Sequence, residues 1–198
     1  GVEWFAARSG LQLPVGGHHP LMGTHNHLSA LGETGFLEII ATDPLADRTA
    51  ADNARWFLLD NADHQAQLAI APKLTTWVIA TDDLDAALDK ASANGIDAGV
   101  PVTQTRGDLT WRIALRQDGS MACDGVFPVL IQWPAGTNPV SRMQDQQVRL
   151  ETLQLAHPDA ERVMAGMQAL GIAEMASVES GKAGLRATLR VGASRFIV

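Results

Sequence analysis

Three stretches of this chain place apolar residues at helical spacing and then stop on a glycine. Val2, Phe5 and Ala6 share one face before Gly10; Leu84, Ala87, Leu88 and Ala91 do so before Gly95; Ala160, Val163, Met167 and Leu170 do so before Gly171. Each glycine is followed by Leu or Ile, then by short extended runs separated by turn residues. In the middle unit, β-branched and aromatic Thr75 to Ala80 predicts a strand, and Asp83 supplies N-cap chemistry for the helix. Strands are predicted at Ala98 to Val102, Thr110 to Leu115 and Val129 to Trp133. The last unit reads alike: a strand at Leu150 to Ala156, Pro158 at the helix start, then strands at Met175 to Val178, Leu185 to Val191 and Phe196 to Val198.

Aligning Gly95 on Gly171 brings Ala80 onto Ala156 and Asp83 onto Asp159, so the strand-to-helix junction is shared as well. The first unit fits if its opening strand lies before Gly1: helix, then Leu11 to Val15, Thr24 to Leu31 and Phe36 to Ala41 across a Gly32–Gly35 turn. The expected organisation is a first βαβββ unit over 1–42, a crossover connector over 43–74, a second unit over 75–134 and a shortened third over 145–198. The fold class is α+β. The connector is read as packed against a sheet, with an Ala/Gln-rich helical piece.

Charge narrows the partners. A formal net charge of −7, with scattered Lys and Arg, offers no footprint for a phosphate backbone, so nucleic acid is excluded. No apolar run approaches the ~20 residues of a membrane helix. One cysteine, Cys123, excludes an internal disulfide framework and fits a reducing cytoplasm.

Two residue types stand out for chemistry. Glu38 interrupts the apolar run Phe36 to Ala41, so its carboxylate must be paired, metal-bound or turned into a wet hollow. His25 and His27 lie two apart and share one strand face, which is Glu38's face if the turn pairs residue 29 with residue 38. A slip of one residue reverses that. Arg112 offers a bidentate donor for an oxygen-rich ligand, with a salt bridge on the outer sheet face as its structural alternative.

The repeated strand–helix–three-strand unit resembles the vicinal oxygen chelate superfamily, which includes glyoxalase I, extradiol dioxygenases and drug-sequestering proteins. Gly16-Gly17-His18-His19-Pro20, Gly23-Thr24-His25-Asn26-His27-Leu28 and Phe36-Leu37-Glu38-Ile39-Ile40 resemble the bacterial glyoxalase-like domain family more narrowly. So do Trp111-Arg112-Ile113-Ala114 and Phe127 to Trp133. The resemblance implies curved sheets pairing around a cavity and a small-molecule ligand. It also implies a divalent metal held from the first and last strands of paired units.

On that basis Glu38 and His27 are the expected catalytic and metal-binding residues, and His19, His25, Asn26, Arg112 and Gln132 the expected substrate contacts. The second unit departs from the metal pattern: Thr76 stands where a ligand His is expected, and Leu130 or Gln132 where a Glu is expected. Three readings stay open: a lyase, isomerase or oxygenase, a metal-free binding protein, or a scaffold without chemistry. The third unit is expected to extend a sheet or to make a homodimer contact.

Overall fold

The computed structural model describes residues 1–47, 53–137 and 139–198. Eleven strands form three sheets among these residues. Helix α1 (Val2–Ser9) precedes β1 (Val15–His19), β2 (Thr24–Ala30) and β3 (Phe36–Thr42), which form a sheet in the order β1-β2-β3. The connector contributes α2 (Ala62–Ile70), as its Ala/Gln-rich composition predicts; residues 48–52 of it lie outside the described residues. Then come β4 (Val78–Ala80), α3 (Leu84–Ala93), β5 (Val100–Arg106), β6 (Leu109–Leu115) and β7 (Val129–Gln132). The last unit holds β8 (Val148–His157), α4 (Ala160–Leu170), β9 (Ser177–Ser180), β10 (Gly184–Val191) and β11 (Ser194–Ile197).

The helix boundaries follow local chemistry. Asp83 accepts from the Ala86 amide and Asp159 from the Arg162 amide, each satisfying an orphan donor of the first turn. Gly10, Gly95 and Gly171 all adopt positive φ (73°, 68° and 74°), the left-handed conformation that closes a helix and suits glycine. Pro158 precedes the Asp159 cap instead of opening the helix.

In the middle sheet, order β4-β7-β6-β5, β4 pairs parallel with β7 and the rest is antiparallel. The last sheet, β11-β10-β8-β9, is wired differently, because its opening strand β8 lies in the interior between β10 and β9. It is a sheet of its own, so the third unit extends neither of the others. Its helix-covered face buries Leu153, Leu155 and Ala187 against Val163 and Met167 of α4, and this cluster reaches Phe127, Ala91 and Ile96 of the second unit. Burial of a side chain such as Phe127, with no exposed surface, contributes about 1.5–3 kcal/mol. The same sheet also cradles α1: Phe5 packs edge-on to Phe196, beside Val148, Leu189 and Val191.

The first two sheets present their other faces to each other. Leu109, Trp111, Ile113, Val129 and Ile131 meet Met22, Ile40, Trp56 and Phe57 in one core. One strand boundary differs from the sequence reading in a way that matters. Residues 11–14 are not a strand; β1 starts at Val15 and runs through the Gly16-Gly17 pair. Pro14 cannot donate to a ladder, and the glycines form a bulge between Val15 and Gly17 in place of a turn.

Candidate functional site

The register of β2 on β3 decides which side chains of the first sheet face the second. Ala30 pairs with Phe36 and Leu28 with Glu38, so Glu38 shares a face with Leu28, Asn26 and Thr24. On β1, His19 pairs with Thr24 and so belongs to the same face. His25 and His27 point the opposite way. The expectation that they stand beside Glu38 is therefore corrected: the loop over 31–35 has five residues, one register step from the assumed pairing. His27 Nδ1 donates to the Leu13 carbonyl at 2.9 Å, and His25 lies between the rings of His18 and His27 on the outer face. His18 is tied to Asp43 at 2.6 Å.

Facing the second sheet, Asn26 Nδ2 donates to Glu38 Oε1 at 2.5 Å. Asn26 is 2% exposed, and its Oδ1 has no partner among the described residues. Gly16 explains the fit, since a Cβ there would lie 2.3 Å from that oxygen and 2.7 Å from Leu28 Cγ. Part of Glu38 reaches solvent, but its carboxyl group lies among protein atoms. Burial pushes its pKa above the ordinary carboxylate range, partly offset by the Asn26 hydrogen bond and the charge of Arg106. His19, 5% exposed, meets Thr24 Oγ1 at 3.2 Å and stands edge-on to Trp56 and Trp111, with ring centroids 5.0 and 6.2 Å away. Burial, helped by the neighbouring charges of Arg106 and His18, lowers its pKa to about 4, so at neutral pH this imidazole is uncharged.

Arg112 and Gln132 are placed elsewhere. Arg112 makes a bidentate pair with Asp85 at 2.8 and 2.9 Å and also donates to Gln132 Oε1 at 3.1 Å. Gln132 in turn donates to the Asp82 carbonyl. Together they fasten the start of α3 to the outer side of the sheet. The structure gives Arg112 the salt bridge that was its structural alternative and sets both side chains away from Glu38, since Arg112 pairs with Gln132 one register step from the inward pair Ile113 and Ile131.

Sequence reading missed Arg106, Gln104 and Trp56. Gln104 and Arg106 lie two apart on β5, whose predicted extended piece stopped at Val102. Gln104 is buried, and the Arg106 side chain crosses to β1, where a Cβ on Gly17 would lie 3.1 Å from its Cδ. The paired glycines were the readable sign that something passes close over β1. Trp56 is 4% exposed, its indole N–H has no partner among the described residues, and the next two residues, Phe57 and Leu58, hold positive φ (58° each). Two concavities lie away from Glu38: a minute one bounded by Trp56, Gly119 and Met121, and an open groove of about 340 Å³ along Asp82 and Trp133–Thr137.

Donors for a metal ion are too few. Among the described residues no three His, Cys, Asp or Glu side chains converge as a metal cage. The inward positions of β7 are Val129 and Ile131, neither a ligand. The residues present do not fit the divalent ion that the resemblance implies, and no chemical step is derived through one.

The α+β fold, with β-sheets of the first two units facing each other, fits the vicinal oxygen chelate superfamily, the class to which its family model assigns it. The family model for the glyoxalase-like domain matches residues 1–171, and the chain belongs to that family. No curated protein matches it. Among solved structures it is similar to a hypothetical protein from Staphylococcus aureus, at 17% identity and a TM-score of 0.54, over 93% of this chain and 75% of that one. That likeness shows the fold alone. No helix among the described residues is long and apolar enough to cross a membrane.

Proposed function

We propose that this chain is a small-molecule enzyme in which Glu38 exchanges a proton with an oxygen-bearing ligand held between the first two units. The observation that carries this reading is the Glu38–Asn26 pair: an inward carboxyl, raised in pKa by burial and fixed by one amide donor. A carboxyl whose pKa is displaced toward neutrality is suited to both taking and returning a proton. On a carbonyl compound, the carboxylate would take the proton from the carbon next to the carbonyl. The bonding pair would move onto the carbonyl oxygen, and the proton would return from Glu38 to carbon or oxygen. His19, with its pKa lowered by burial and its ring tied to Thr24, supplies a hydrogen-bonding group on the same face.

The test is proton NMR in deuterium oxide with pyruvate, hydroxyacetone and methylglyoxal. Enzyme-dependent loss of the C–H signal adjacent to the carbonyl, with the rate falling at least about 100-fold in Glu38→Gln, supports the reading. Exchange that survives in Glu38→Gln ends it. A second reading, a metal-free binding protein, draws on the orphaned Asn26 Oδ1 and Trp56 Nε1, which a bound ligand would satisfy without any chemistry. Saturable binding with no exchange in either form selects that reading.

A further inference from the structure

Arg106 ends β5 with its stem laid over Gly17 of β1, at the seam where the first two sheets meet. It is half-buried, yet its guanidinium has neither a hydrogen bond nor an ion pair among the described residues. The acid nearest in sequence, Asp108, is committed to Arg142 through two contacts of 3.2 Å. The acid on the same face, Glu38, is held from within by Asn26, and Arg106 acts on it only through space. The remaining polar neighbours, His19 and Gln104, bring no negative charge near neutral pH. A guanidinium so placed, with no acid bonded to it, borders a polar strip that also holds two buried atoms without a partner among the described residues, Asn26 Oδ1 and Trp56 Nε1.

Resting on the reading that a small ligand sits between the first two units, we infer that this ligand is an anion, a carboxylate, and that Arg106 is the residue that selects it. A guanidinium meets a carboxylate through two parallel N–H···O bonds, a geometry that an ammonium cannot copy. A carboxylate is preferred to a phosphate because the strip supplies one guanidinium and no helix N-terminus, with aromatic Trp56 and Trp111 around His19. Gly17 fits this role: without a Cβ it lets the Arg106 stem lie flat and hold the guanidinium at the seam.

The experiment is calorimetric titration of the full chain with pyruvate, with neutral hydroxyacetone of similar size, and with inorganic phosphate. The expected result is that pyruvate binds at least about tenfold tighter than hydroxyacetone and phosphate, and that this preference disappears in Arg106→Gln. Arg106→Lys should recover only part of it. Circular dichroism shows whether each variant is folded; Arg106→Lys keeps the charge and the stem, so it carries the comparison if Arg106→Gln does not fold. Equal affinity for pyruvate and hydroxyacetone, tighter binding of phosphate, an undiminished preference in Arg106→Gln, or no binding of pyruvate overturns the inference. Failure here is separable from failure of the proton-transfer reading. Exchange on hydroxyacetone that depends on Glu38 would stand without an anion preference, and an Arg106-dependent preference would stand without exchange.

Discussion

Replacing His19 with glutamine should remove a large part of the protein's acid sensitivity. Buried His19 holds its proton only below about pH 4, whereas in the unfolded chain it titrates near 6.5. Between those values the unfolded state binds more protons, so folding stability falls as pH drops through the window. Stability is complete above pH 6.5 and the loss is complete near pH 4. A gap of about 2.5 pH units at 1.36 kcal/mol each corresponds to roughly 3 kcal/mol, or about 6 to 12 °C in melting temperature for a chain this size.

Glu38 works in the opposite direction. Its pKa is raised on folding, so its burial costs stability as pH rises from 4.5 through its folded value. In the wild type the two slopes overlap and partly cancel. The clean comparison is therefore Glu38→Gln against the double variant Glu38→Gln with His19→Gln, each unfolded in urea at about pH 7.5 and about pH 4. The single variant should lose roughly 3 kcal/mol more than the double variant over that range. His64, whose pKa is also lowered by burial, contributes equally to both and drops out of the difference. Parallel pH profiles for the two proteins would refute the placement of His19 as a buried, neutral imidazole.

Two further outcomes follow from the same geometry. Gly16→Ala puts a methyl group 2.3 Å from Asn26 Oδ1 and 2.7 Å from Leu28 Cγ, both on buried residues, and should cost on the order of 1–3 kcal/mol. Because Asn26 must shift, Glu38 loses its donor and its pKa rises further, which carbon-13 NMR titration of the glutamate carboxyls would detect; an unshifted Glu38 resonance would contradict this. Arg112→Gln cuts the exposed tie to Asp85, so pyruvate affinity should be unchanged in calorimetry and stability nearly so; a large drop in affinity would return Arg112 to the binding site.

Much of the fold was legible because its signals are local. Helix stops at Gly10, Gly95 and Gly171 and caps at Asp83 and Asp159 are set by a few adjacent residues, and the structure has each of them. The site was legible only in part, because it depends on register and on contacts between units. Whether the loop between Ala30 and Phe36 closes on one pairing or the next is a matter of a single residue, and that residue moved His25 and His27 to the outer face. Glu38, Asn26 and His19 came out facing inward together, although the sequence pattern had grouped Glu38 with His27. Arg106 could not be assigned from its own neighbourhood: next to Gly107-Asp108 it reads as a hairpin residue, and only the approach of β5 to β1 gives it a role. The strand order of the third unit was equally hidden, since the position of β8 between β9 and β10 is a long-range fact that no periodicity encodes.

The two facing units have divided their labour, and the division bears on what ligand the seam can take. The inward side of the first sheet sets Thr24, Asn26 and Glu38 among apolar Leu28 and Ile40, whereas the matching side of the second is apolar at Leu109, Ile113, Val129 and Ile131. The second unit brings polar groups toward the first at the far end of β5, through Gln104 and Arg106. A ligand with oxygens at both ends would leave one end against hydrocarbon, with its hydrogen bonds unmade, a cost of about 1–3 kcal/mol per buried group. A molecule with a single oxygenated head and an apolar remainder avoids that cost. The third sheet, spent on cradling α1 and α4, leaves this asymmetry intact.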